Sequence, residues 1–442
     1  MGISEQIYEY ATSIKSIPEK SVDEIKKRIA DSVFTAYASR NAEPIKISKT
    51  SLLPSAGKLN SHIYFSNETA SSEISSFING SMTRYMDYND TYLSKEAIHP
   101  SDNIAPILAI AEPLAASGYE TLKAIWLSYQ IACALADASS IRKRGWDHVV
   151  YISISSAVGI AYLLGLDKKK FINAISLAIN NNISMRQTRV GTLSMWKGCT
   201  VGDAARNSVF AALLAKNGLT GPSPIFEGEM GLFKQVSGKF SLRLGKELAQ
   251  KTMIKAYPVE YHAMSAVEAA LSIRGSINGK IKSITIETFN AAYEIIAKGK
   301  EKLRPKNKET ADHSLQYITA YTLLYGEPNV NSYSKRFLSD KKILSLIDKT
   351  KVRVSQKLDK LYPEYTPVRI SVKTDSGDFS KYVKVQKGHK ENPFTWEELE
   401  AKGIRCMGNA KNAKMVITTV KSLDKINILN LVDVISNANT KR

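Results

Sequence analysis

Through the first 273 residues, apolar side chains recur three and four positions apart, the spacing that gathers them onto one face of a helix. Residues 122–136, 155–164, 171–179 and 204–216 follow this pattern, and Gly218 closes the last of them. Ser21 with Glu24 has the form of a capping box ahead of Ile25, Ile29 and Val33. Ala132, Ala134 and Ala136 are small enough to let helices approach closely, so residues 1–273 read as a large all-helical domain. From about residue 274 the period shortens to two. Ile284 and Ile286 alternate with Thr285 and Glu287, and Val368, Ile370 and Val372 alternate with Arg369, Ser371 and Lys373, which predicts half-buried strands. Asp375, Ser376 and Gly377 supply a turn before a further alternating run at 382–385, so a hairpin is expected. Helical stretches at 315–324 and 337–347 lie between the strands, making 274–390 a smaller α+β domain. Thr395 with Glu398 offers a second capping box, opening a helical tail over 391–442 expected to pack back on the first domain. The predicted class is mainly α.

At 442 residues the chain is longer than one compact core usually holds, which suits this division. Its 61 Lys and Arg against 42 Asp and Glu leave a formal charge of +19, calling for an anionic partner or a cationic surface without saying which. The densest basic run, Lys298 through Lys308, has no interleaved aromatics and reads as a solvated loop; no nucleic-acid partner is expected, although a basic nucleic-acid-binding protein is the remote alternative. Three cysteines, Cys133, Cys199 and Cys406, are too scattered for a disulfide framework and fit a reducing compartment. The N-terminus lacks the pattern of a secretory signal, and no stretch reaches the ~20 apolar residues of a membrane span. A cytoplasmic protein without a membrane partner is expected.

Six histidines divide sharply by surroundings. His62 and His389 lie in loop-like stretches with no clustered partner, whereas His99, His148, His262 and His313 fall in polar islands between helical runs. Such islands are where a helical domain places a pocket. The first island holds Asp87, Asp90, Thr91 and His99; the second, Arg142, Asp147 and His148; the third, Arg186, Arg189 and Lys197; the fourth, His262. Guanidinium forks and free backbone N–H groups at helix starts both favour a small polyanion. Imidazoles supply acid and base near neutral pH, and Lys197 could act in either role if burial lowers its pKa. No HExxH, paired-cysteine, GxGxxG or Walker sequence is present, so a cofactor-free, metal-free enzyme acting on a carboxylate-rich substrate is the expectation.

The segments DYNDTYLSKEAIHPSDN, RGWDHVVYISISSAVGIAYLLGL, WKGCTVGDAARNS, YPVEYHAMSAVEAA and DHSLQYITAYTLLYGE, in this order over nearly the whole chain, resemble the MmgE/PrpD family, and within it the branch that dehydrates 2-methylcitrate in propionate breakdown. The resemblance implies a large helical domain completed by the C-terminal tail, a smaller α+β lid domain and a homodimer. The family also includes cis-aconitate decarboxylase and an iminodisuccinate epimerase, so the fold alone does not name the reaction. Carried over residue by residue, the pocket consists of Asp87, Thr91, His99, Lys197 and His262 as catalytic positions. Arg186, Arg189, Tyr317, Asp90 and His148 are the substrate-binding positions. His99 and His262 are the expected acid and base, in an order the sequence does not decide; Asp87 and Thr91 would orient an imidazole or the leaving hydroxyl. The alternative reading makes Asp87 and Thr91 helix caps and Tyr317 a core residue.

Overall fold

The helical spacing of the first part becomes a stack of long helices. In the computed structural model, which describes residues 1–52 and 59–438, the four expected segments form the helices Gly118–Ala138, Val149–Leu163, Lys168–Asn181 and Trp196–Lys216. Ser117 and Asp167 cap two of them by accepting from the N–H groups of Glu120 and Lys170. Another helix, Ser72–Tyr85, packs along Trp196–Lys216. The crossing depends on Gly202, where an added Cβ would lie 2.3 Å from the Phe77 carbonyl oxygen and 2.3 Å from Ser81 Oγ. Among the described residues, no helix is long and apolar enough to cross a membrane.

The capping box expected at Ser21 is not formed. The helix Glu19–Ser39 starts earlier, with Pro18 as its N-cap and no side-chain cap. Buried Ser21 instead bonds the Glu247 carboxylate, and Glu24 pairs with Arg28 and Lys27. A buried hydroxyl with a carboxylate in reach has a stronger partner there than a backbone N–H at a helix end.

The alternating stretches form one four-stranded sheet, ordered Thr350–Val354, Ile281–Thr288, Val368–Thr374, Asp378–Val383. The first pair is parallel and the other two are antiparallel. Ile284, Ile286, Val368, Ile370 and Val372 are all fully buried, as their period demands. The hairpin turns at 375–377, pairing Lys373 with Asp378, so its second strand begins before the expected 382–385 run. The helix expected at 337–347 is two helices, Lys335–Leu338 and Lys341–Asp348, because Asp340 between them caps the second by accepting from Lys342 N at 2.7 Å. The basic run is solvated at Lys298, Lys300, Arg304 and Lys306 but not throughout. Lys302 is buried, and Lys308 reaches inward to the Tyr85 carbonyl and to Asp312 at 2.8 Å.

The helix Met264–Arg274 covers the sheet. At the C-terminal side, Thr395 and Glu398 form the expected reciprocal capping box on Trp396–Met407, which packs against Glu19–Ser39. Its Lys402 is fully buried, where it pairs with Asp31 and donates to the carbonyls of Tyr88 at 3.0 Å and Lys255 at 2.8 Å.

Candidate active site

Four of the six histidines, His99, His148, His262 and His313, line one cavity although 214 positions separate the first from the last. Its wall also carries five cations, Arg84, Arg142, Arg186, Arg189 and Lys255, against three carboxylates, Asp87, Glu96 and Glu260. The balance is cationic before any histidine is protonated.

Asp87 is the hub. It follows the C-terminus of Ser72–Tyr85 with a left-handed φ of 51°, a conformation Asp tolerates better than most residues. Its carboxylate accepts from Lys197 Nζ at 2.9 Å, pairs with Lys255, and lies 3.0 Å from Arg84 Nη1. Burial alone would raise its pKa, but these cations hold it well below the ordinary carboxylate range. Both oxygens are thereby engaged, and the imidazole nearest to Asp87 is that of His313, whose Nε2 lies 3.7 Å from Oδ2. Asp87 organises three buried cations.

His99 precedes the short turn Pro100–Asn103. Its Nδ1–H donates to the Asp90 carbonyl at 2.7 Å, with Thr91 Oγ1 at 3.1 Å, and its Nε2 accepts from Arg84 Nη2 at 3.0 Å. Burial and then the Arg84 charge push its pKa well down, so the imidazole is neutral. Asp90 meets His99 through its backbone. Its carboxylate faces away from the cavity, accepting from Ser101 N at 2.9 Å and Tyr129 OH at 2.9 Å, and burial raises its pKa to about 6.

His148 lies edge-on to His99, with ring centroids 5.4 Å apart, and places Nδ1 2.9 Å from Asp147 Oδ1. The same carboxylate accepts from Arg189 Nε at 2.8 Å, and Arg189 also reaches Thr200 Oγ1 at 3.1 Å. Arg186 lines the cavity with no ion pair among the described residues.

His262 lies on the turn Tyr261–Ala263, which Glu260 caps. Its Nδ1–H donates to Glu260 Oε1 at 2.7 Å, and its Nε2 lies 3.4 Å from the Tyr362 hydroxyl. Burial opposes ionisation of Glu260, yet His262 outweighs it and holds the pKa at about 2. That fixed negative charge holds the His262 ring in place through Nδ1, leaving Nε2 toward Tyr362.

Lys197 lies behind the wall and not in it. The residue is 1% exposed, and its ammonium contacts Asp87, Asp312 Oδ1 at 3.4 Å and His313 Nδ1 at 3.3 Å. Burial lowers its pKa to about 8 against the pull of Asp312 and Asp87. Asp87, Asp312 and His313 are a group whose ligand atoms come within 4.8 Å of one another, and the cation lodged against all three is this ammonium.

Tyr317, like Lys197 and the Asp90 carboxylate, does not line the cavity. It is fully buried beside Tyr321 and Tyr333, and its hydroxyl donates to the Ser332 carbonyl at 2.8 Å, so it belongs to the core. The cavity instead takes in His313, four residues earlier in the turn before the helix Leu315–Tyr325, together with Arg84, Lys255 and Glu260. In the sequence His313 stands in a polar island and Glu260 inside the segment YPVEYH, whereas Arg84 and Lys255 carry no signal of their own.

A mainly helical protein with a cation-rich, histidine-lined cavity is thus defined, and both parts of the chain match one family. Residues 5–245 match the MmgE/PrpD N-terminal domain and residues 257–425 the MmgE/PrpD C-terminal domain; the chain belongs to the MmgE/PrpD family. Over 296 residues it is 33% identical to the 2-methylcitrate dehydratase of Escherichia coli (strain K12), covering 61% of this chain and 60% of that protein. It is 34% identical to the 2-methylcitrate dehydratase of Cupriavidus necator over 294 residues, 60% of this chain and 59% of that one. With the probable 2-methylcitrate dehydratase of Saccharomyces cerevisiae the identity is 28% over 396 residues, 80% of this chain and 73% of the yeast protein. The chain spans about 60% of the length of the two bacterial relatives.

Proposed function

We propose that this cavity eliminates water from 2-methylcitrate to give 2-methyl-cis-aconitate, without a cofactor. The observation that supports the reading most is the convergence of His99 and His262 on one cation-lined cavity. The names of the aligned relatives agree with it.

The reaction removes a proton from the carbon next to a carboxylate, turns that C–H electron pair into the new C=C bond, and expels a tertiary hydroxyl. His99 is the base. In the resting cavity its Nε2 lone pair is occupied by Arg84. A substrate carboxylate that draws the Arg84 guanidinium to itself uncovers that lone pair, so substrate binding switches the base on. His262 is the acid: the Glu260 carboxylate holds its Nδ1–H, which leaves Nε2 to deliver a proton to the departing hydroxyl. Arg186 and Arg189 bind carboxylates and stabilise the charge that grows on the group flanking the carbanion-like carbon. Asp90 and Thr91 fix the His99 tautomer, His148 backs its ring, and Lys197 holds Asp87 and His313 in place.

Incubating chelator-treated protein with 2-methylcitrate, citrate and cis-aconitate and identifying the products tests the reading. A conjugated alkene from 2-methylcitrate is expected. Carbon dioxide from cis-aconitate, with no alkene from 2-methylcitrate, would assign decarboxylation instead.

A further inference from the structure

A second cavity, of about 660 Å³, adjoins the candidate site. Arg142 lines both. Tyr362 lines the outer one and points its hydroxyl at His262 Nε2, 3.4 Å away, while its ring stacks on Phe289 at 4.9 Å. These two side chains form the partition. The inner cavity, at about 70 Å³, is smaller than the ~300–1,000 Å³ usual for small-molecule sites, whereas the outer one lies within that range.

The outer wall is cationic. It carries Lys95, Arg142, Lys143, Lys251 and Lys390 against Asp137 and Glu364. Both carboxylates are already engaged, Asp137 by the Tyr92 hydroxyl at 2.8 Å and Glu364 by Lys390 at 2.5 Å. Lys143 and Lys251 have no ion pair among the described residues, and both are exposed. A concave wall with uncompensated positive charge focuses the field and concentrates small anions.

We propose that the outer cavity is a second anion site in series with the first, where a small polycarboxylate is captured before it passes Arg142 and Tyr362. The proposal rests on the reading of the inner cavity as a polycarboxylate site. It gives part of the chain's positive charge a task that the chemistry itself does not use.

The test compares Lys143→Gln/Lys251→Gln with a control of equal charge change outside both cavities, Lys169→Gln/Lys216→Gln. Calorimetry gives the Kd for citrate, and kinetics give kcat/KM for 2-methylcitrate, each at ~0.01 M and ~1 M salt, where the screening length falls from about 30 Å to about 3 Å. At low salt the cavity pair is expected to weaken citrate binding and lower kcat/KM about five- to tenfold relative to the control, with the gap closing at high salt. Turnover with both pairs behaving alike would overturn the second site and leave the dehydratase reading standing. Citrate binding that depends on Lys143 and Lys251 without turnover of 2-methylcitrate would sink the reaction and keep the site. No citrate binding by the unmutated protein would overturn both.

Discussion

Asp87 and Lys197 illustrate how single residues set the electrostatics beside this cavity. Neutralising Asp87 as Asp87→Asn leaves Lys197, Lys255 and Arg84 buried without their shared anion. The expected loss is about 3–5 kcal/mol of stability, read by urea denaturation. Lys197 makes a prediction in pH. Burial holds its folded-state pKa at about 8, below the ordinary lysine value of 10.5. Activity that depends on the ammonium therefore falls as pH rises through about 8. Stability from this group moves the opposite way, since between those two values the unfolded chain binds the extra proton and the folded state gains as pH rises. Lys197→Met should remove both the alkaline limb of the rate profile and that stability slope. A limb that persists in the variant belongs to another group. The sequence made His99, Lys197 and His262 visible because each stands in a polar break between apolar runs. Arg84 and Lys255 were not visible, being ordinary charged residues in sequence whose meaning comes only from burial. Tyr317 misled for the converse reason: it adjoins His313 along the chain, but the helix turns its ring into the core.

Among the elements, the crossing of Ser72–Tyr85 over Trp196–Lys216 matters most, since the first delivers Arg84 and Asp87 and the second Lys197. Gly202→Ala inserts a methyl where backbone and Ser81 already stand. It should cost about 1–3 kcal/mol by denaturation and, by separating the helices, lower turnover as well. A variant of unchanged stability and rate would show that the crossing tolerates more than this packing implies. The long helices and the two central strands were legible because one buried face imposes a period. Thr350–Val354 was not, because this edge strand buries neither face fully and so carries no alternation. The break at Asp340 and the inward turn of Lys308 were equally hidden, each decided by one hydrogen bond or ion pair that composition does not reveal.

For the molecule as a whole, the C-terminal tail is wired to the site. Lys402 pairs with Asp31 and grips the backbone of Lys255 and Tyr88, which flank the Asp87 cluster. Lys402→Met should destabilise by about 3–5 kcal/mol by stranding Asp31, and Asp31→Leu added to it should restore much of the loss. The account as a whole requires two imidazoles at one cavity to share the chemistry. Turnover of 2-methylcitrate by His99→Gln and His262→Gln, measured side by side with circular dichroism on each, tests this most directly. Each folded variant is expected to lose ~100-fold or more, the scale of a missing acid or base; near-normal rates in both would contradict it.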